Sequence, residues 1–153
     1  HTYIHENLTI VKHQIVVQDS LSPSMMYESR MKSLEDIMDT KEESFSVRLF
    51  RFIEEKNLSE VRVYKGANID RKHFSKIRSN DAYQPNKRTV IALAISLQLN
   101  EEETKGLLMS AGFSLSHSYV SDIIIEYFLK RGRYDIHDIN EFLFSYDQPL
   151  IGG

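Results

Sequence analysis

The sequence predicts an all-α protein, a compact bundle of about six or seven helices behind a loosely structured amino-terminal arm. Three observations predict it. From Thr40 onward, apolar residues recur at helical spacing in short blocks. Ser, Asp or Asn, the residues that cap helix starts, precede most of these blocks. No strand pattern interrupts them in this part of the chain.

The first forty residues are weakly patterned. Ile4, Leu8, Ile10, Val11, Ile15, Val16 and Val17 fit helix and strand periods about equally. The cluster Asp19-Ser20-Leu21-Ser22-Pro23-Ser24 reads as a loop or linker. Met25, Met26, Tyr27 and Met31 follow, with Met25 and Met26 read as core filler or arm contacts. A short helix is expected after Ser33, where Asp36 completes a capping-box pattern.

Thr40 and Glu43 form a second such pattern. Behind them Phe45, Leu49, Phe52 and Ile53 share one helical face. Asn57 and Leu58 end that helix, Ser59 can cap the next and Asp70 the one after. Pro85 and Asn86 precede a helix from Lys87 to Leu99. Val90, Ala94 and Leu97 line one side of it, and Ile91 and Ile95 widen that side. Asn100 caps Glu101-Glu102-Glu103, three acids where the helix dipole favours negative charge, and Gly112 stops that helix. Ser116 can start a helix through Ile124 and Phe128 that ends at Gly132. The last follows Asp135, carries Ile139, Phe142 and Leu143, and closes at Asp147-Gln148-Pro149. The organisation expected is therefore an arm or linker at 1–40, a domain at 41–110, and a carboxy-terminal helical extension at 111–153 packed on it.

The segment Leu58–Asn80 is the most informative. It reads as two short helices joined by a tight turn, a helix-turn-helix. Val63 and Ala67 bury one side of the first helix, and Asn68 tolerates the left-handed backbone the turn needs. Ile69 plugs the core, and Phe74 and Ile77 form the buried side of the second helix. Arg71, Lys72, Ser75, Lys76 and Arg78 face outward. Between Val61 and Arg88 the basic residues Arg62, Lys65, Arg71, Lys72, Lys76, Arg78, Lys87 and Arg88 face only Asp70 and Asp81. The whole chain is acidic, at net charge −3, so any attraction for nucleic acid is local.

From about Phe45 to Leu108 the spacing resembles the lambda-repressor-like, or Xre-type, helix-turn-helix family. The matching positions are Leu58-Ser59, Val63, Ala67, Ile69, Asp70, Phe74, Ile77 and Pro85. Tyr64 stands where that family usually has Ala, and Asn68 where it usually has Gly. The resemblance implies a recognition helix at Asp70–Arg78 on double-stranded DNA. Arg71, Lys72 and His73 would meet base edges, and Ser59, Lys76, Arg78, Lys87 and Arg88 would meet phosphates. From Met31 to Gly152 the chain also resembles a carboxy-terminal helical module found after macro domains in bacterial proteins. That resemblance, with a first residue His1 rather than Met, implies an accessory or regulatory piece of a longer protein.

Two functional readings stay open. One is DNA binding in transcription regulation. The other is a protein-interaction module that has the helix-turn-helix shape and binds no DNA. The apolar surplus of Ile123, Ile124, Ile125, Tyr127, Phe128, Phe142, Phe144 and Tyr146 either packs on the core, forms a homodimer, or docks on an upstream domain.

Enzyme chemistry is not expected. With no cysteine, thiolate metal sites and cysteine nucleophiles are excluded, and a reducing, cytoplasmic setting fits. His1 and His5 are spaced for one helix face but have no third ligand nearby. His13, His117 and His137 are isolated, and the acid runs read as helix starts and solvated faces. No metal or cofactor is expected. No apolar run approaches the roughly 20 residues of a membrane helix.

Overall fold

The structure, a computed structural model, describes residues 22–152. Among these residues the chain is all-helical, with eight helices and no strand. They are α1 (Pro23–Asp39), α2 (Phe45–Glu55), α3 (Glu60–Gly66), α4 (Arg71–Ser79), α5 (Lys87–Ser96), α6 (Glu101–Ser110), α7 (Val120–Lys130) and α8 (Ile136–Ser145). The chain divides into two units, His1–Glu42 and Glu43–Gly153.

In the first unit, α1 is 17 residues long and none of them is buried. Ser22 caps it by accepting the Met25 amide at 3.3 Å, and Pro23 takes the first helical position. Pro is favoured there because the amide it lacks would have no partner and its φ is already helical. The expected loop through Ser24 and the short helix after Ser33 are therefore corrected: residues 23–39 of the arm form one helix. Thr40 closes this helix rather than opening the next, its hydroxyl donating to the Ile37 carbonyl at 2.7 Å. Ile4 to Val17, His1, His5 and His13 lie outside the described residues.

The second unit is built around α5, in which every residue from Thr89 to Ile95 is buried. The sequence suggested an apolar stripe here. The helix is instead surrounded, with α3, α6 and α8 packed against it. α2 packs on α6, and α7 packs on both α6 and α8. Phe74, Phe128, Leu49, Ile77, Ile125 and Ile139 are among the largest fully buried side chains, each worth about 1.5–3 kcal/mol of burial. The segment after Gly112 shares this core through Ile125, Phe128, Leu129, Ile136, Ile139 and Leu143. The chain end is pinned as well: Asn140 donates to the Ile151 carbonyl at 3.1 Å and accepts the Ile151 amide at 2.9 Å. No helix among the described residues is long and apolar enough to cross a membrane.

Caps define the boundaries. Ser44, Ser59, Asp70, Asn86, Asn100 and Asp135 each accept a first-turn amide. Asn100 and Glu103 complete a reciprocal capping box. α7 differs. Ser116, the expected start, lies in the turn before it, and its amide donates to Asp122 Oδ2 at 2.8 Å. Six helices end on a left-handed residue, at Asn57, Asn68, Gln98, Gly112, Gly132 and Asp147. That backbone lets the following amides reach the last-turn carbonyls, as Leu58 reaches Ile53 and Leu99 reaches Ala94.

Candidate nucleic-acid interface

α3 and α4 are joined by Ala67, Asn68, Ile69 and Asp70. Asn68 has φ +56°. Its amide bonds the Lys65 carbonyl at 3.1 Å, and the Ile69 amide bonds the Tyr64 carbonyl at 2.9 Å. These two bonds close α3 and turn the chain, so an asparagine does here what a glycine would do at lower steric cost. Ile69 and Ala67 are buried beneath the turn. Gly66 lets α3 lie close to α5, where Ser96 donates to the Val63 carbonyl at 2.7 Å. Asp70 then caps α4, its Oδ1 accepting the His73 amide at 2.7 Å.

The inner side of α4 is fixed by ring packing. Phe74 lies between Phe50, edge-on at 5.6 Å, and Tyr64, tilted at 5.2 Å. Tyr64, the bulky residue at the helix crossing, is thus a packing partner of the second helix. The outer side carries Arg71, Lys72, Ser75, Lys76, Arg78 and Ser79, all exposed. Two open clefts flank it. One, of about 510 Å³, is lined by Glu60, Val61, Tyr64, Arg71, Phe74, Ser75 and Arg78. The other, of about 390 Å³, is lined by Asp70, Lys72, His73, Lys76 and Tyr83.

The eight residues singled out by sequence differ in what holds them. Arg71 and Lys72 are exposed and have no ion-pair partner among the described residues. Arg88 is exposed at the first turn of α5. Ser59 is exposed and occupied as a cap, its hydroxyl accepting the Arg62 amide at 3.2 Å. Lys76 sits 4.9 Å over the Tyr83 ring, a cation–π contact that leaves its charge at the surface. His73 is only half-exposed, and its Nε2 is 3.0 Å from the Tyr83 hydroxyl.

Two of the eight are engaged in ion pairs within the fold. Arg78 is ion-paired with Glu60 and lies over the Phe50 and Phe74 rings. Lys87 donates to Asp122 Oδ2 at 2.6 Å, and the Asp122 carboxylate is buried. Both cations hold helices together. Glu60 and Asp122 are far from their partners in sequence, so nothing local signalled either pair. Arg62 and Lys65 are also exposed, and neither lines the clefts.

Away from this surface, Glu126 accepts from Lys130 at 2.9 Å and meets His117 Nε2 at 2.6 Å. These bonds, Lys130 first, hold its carboxyl down to about 2 against the usual 4.5. Burial pushes the Tyr134 hydroxyl up. No group of three His, Asp or Glu side chains able to hold a metal ion occurs among the described residues. Comparison with protein-family models, curated proteins and solved structures finds no match to this chain.

Proposed function

We propose that the chain binds double-stranded DNA, with α3 and α4 acting as a lambda-repressor-like helix-turn-helix and α4 entering the major groove. The observation that carries this reading is the pair Arg71 and Lys72, exposed in the first turn of α4 and without carboxylate partners among the described residues. Ser75 and Lys76 continue the same outward side one turn on. Arg71 and Lys72 then meet base edges, while Lys76 and Arg88 meet phosphates. Ser59, at the start of α3, adds its hydroxyl to the backbone contacts. His73 has the lesser part of positioning Tyr83 under Lys76. The setting that suits this activity is an accessory module of a larger, cytoplasmic bacterial protein acting in transcription regulation.

The test is fluorescence anisotropy with labelled duplex DNA. Replacing Arg71 or Lys72 with Ala is expected to weaken binding by about 1–3 kcal/mol for each base edge no longer bonded. Affinity unchanged in the double variant would remove α4 from the interface.

A second reading, a protein-interaction module without DNA binding, is supported by exposed apolar residues on the last two helices. Val120, Ile123 and Tyr127 form a stripe on α7, and Phe142, Phe144 and Tyr146 are exposed at the end of α8. It predicts no duplex affinity at low salt. It also predicts docking, on a second copy or an upstream domain, that Ile123→Glu abolishes.

A further inference from the structure

One cavity of the second unit is distinct from the two clefts beside α4. It holds about 100 Å³ between the starts of α5 and α7, the end of α8 and the chain that follows α8. Ile91, Ile125, Leu143 and Ile151 line it, and all four are buried. Pro149 adds its ring from the chain after α8. That chain is held without any ligand. The Gln148 amide bonds the Leu143 carbonyl at 2.8 Å, and the Asn140 side chain brackets the Ile151 backbone at 2.9 and 3.1 Å.

Charged groups meet this apolar lining on one side. Lys87 and Asp122 reach it already paired at 2.6 Å, and Asp122 also accepts the Ser116 amide. Their charges cancel. Arg88 lines the same cavity, is exposed, and has no carboxylate or ring partner among the described residues. Tyr119 and Ser121 bring hydroxyl groups to the lining. Apolar walls favour a hydrocarbon body, and the surplus positive charge favours an anionic head. An apolar cavity of about 150 Å³ takes a benzene ring, so this smaller one suits a chain of about four carbons. We propose that the cavity binds a short-chain monocarboxylate, its alkyl chain among Ile91, Ile125 and Leu143 and its carboxylate on Arg88. A cation would meet Arg88 and a neutralised Asp122, and a bare phosphate would leave the apolar walls unused. Arg88 is also a proposed phosphate contact, so on the DNA-binding reading an occupied cavity withdraws it from the duplex. Occupancy itself does not depend on that reading.

Methyl-resolved NMR of the full chain, without DNA, tests the site with sodium valerate as the probe. At constant ionic strength, the methyls of Ile91, Ile125, Leu143 and Ile151 are expected to shift together. The dissociation constant should be about 1–10 mM, as burial of about four carbons allows. Acetate, which has the head without the chain, should bind about tenfold more weakly or less. Arg88→Gln should weaken valerate binding about fivefold or more and leave n-pentanol, the uncharged analogue, unchanged. Arg88 is exposed, so this variant is expected to keep its fold, which its ligand-free spectrum checks. No shift of these methyls at about 50 mM valerate would overturn the proposal. Acetate that matches valerate would overturn it too, as would Arg88→Gln that binds valerate as the parent does. Because DNA is absent, each of these failures leaves the helix-turn-helix reading where it stands.

Discussion

Replacing Asp122 with Ala is expected to destabilise the helical unit by about 3 kcal/mol. The Asp122 side chain is buried, and its Oδ2 accepts from Lys87 Nζ at 2.6 Å and from the Ser116 amide at 2.8 Å. One carboxylate thus joins the first turn of α5, the helix α7, and the turn that leads into it. At that separation and an effective dielectric constant near 20, the Coulomb attraction is about 6 kcal/mol, and desolvation of the carboxylate offsets most of it. Removing the acid leaves Lys87 without its counter-charge. The Lys87 side chain is 27% exposed, so water reaches it. The cost is then about 2 kcal/mol rather than the roughly 3–5 kcal/mol of a fully buried pair. The Ser116 amide loses its acceptor, for about 1 kcal/mol more. Guanidinium unfolding followed by far-ultraviolet circular dichroism measures the loss. A double-mutant cycle with Lys87→Met and Asp122→Asn should show a coupling of about 1 kcal/mol or more. A loss well under about 1 kcal/mol for Asp122→Ala, or strictly additive single effects, would refute the reasoning and return Lys87 to the surface.

Two further outcomes follow from the same packing. Glu126 has a depressed folded pKa, so the stability it contributes is present above about 4.5 and is lost as pH falls toward about 2. Glu126→Gln should flatten this acid limb by about 1–2 kcal/mol, the exposure of Lys130 and His117 keeping the value modest; denaturant midpoints at pH 7 and pH 3 check it. Gly66→Ala should destabilise by about 1–2 kcal/mol although alanine is the better helix former. Its Cβ would meet Ser96 Oγ at 2.5 Å and displace the bond to the Val63 carbonyl. Stability largely regained with Ser96→Ala added would confirm that cause, and a stabilised single variant would contradict it.

Helix existence and the core were legible because the signals are local. Phe45, Leu49, Phe52 and Ile53 share a face as their spacing dictates, and Ser59, Asp70, Asn86, Asn100 and Asp135 cap where they stand. The errors arose where one residue type serves two ends of a helix. Thr40 looked like a start and is a stop, because its hydroxyl bonds backward to Ile37 while Ser44 supplies the cap. Ser22-Pro23 looked like a breaker, whereas a cap followed by proline begins a helix. On α4, the outward position of Arg71, Lys72 and Lys76 could be read from the period set by Phe74 and Ile77. The binding of Arg78 to Glu60, of Lys87 to Asp122 and of His73 to Tyr83 could not, since each depends on which helices the fold brings together. Of the last two helices' apolar surplus, Ile124, Ile125 and Phe128 are likewise hidden and the other five exposed, a division set by packing on α5 and α6 rather than by composition.

Binding of duplex DNA at two salt concentrations tests the central claim most directly. Arg71, Lys72, Lys76 and Arg88 are four cations in reach of the duplex in the proposed docking. With Lys76 and Arg88 on phosphates, raising salt from about 50 to about 200 mM should then weaken binding roughly tenfold, and removing either of the two should reduce the slope by about one. An anisotropy titration that shows no binding at the lower salt, or binding that salt leaves unchanged, would contradict the account.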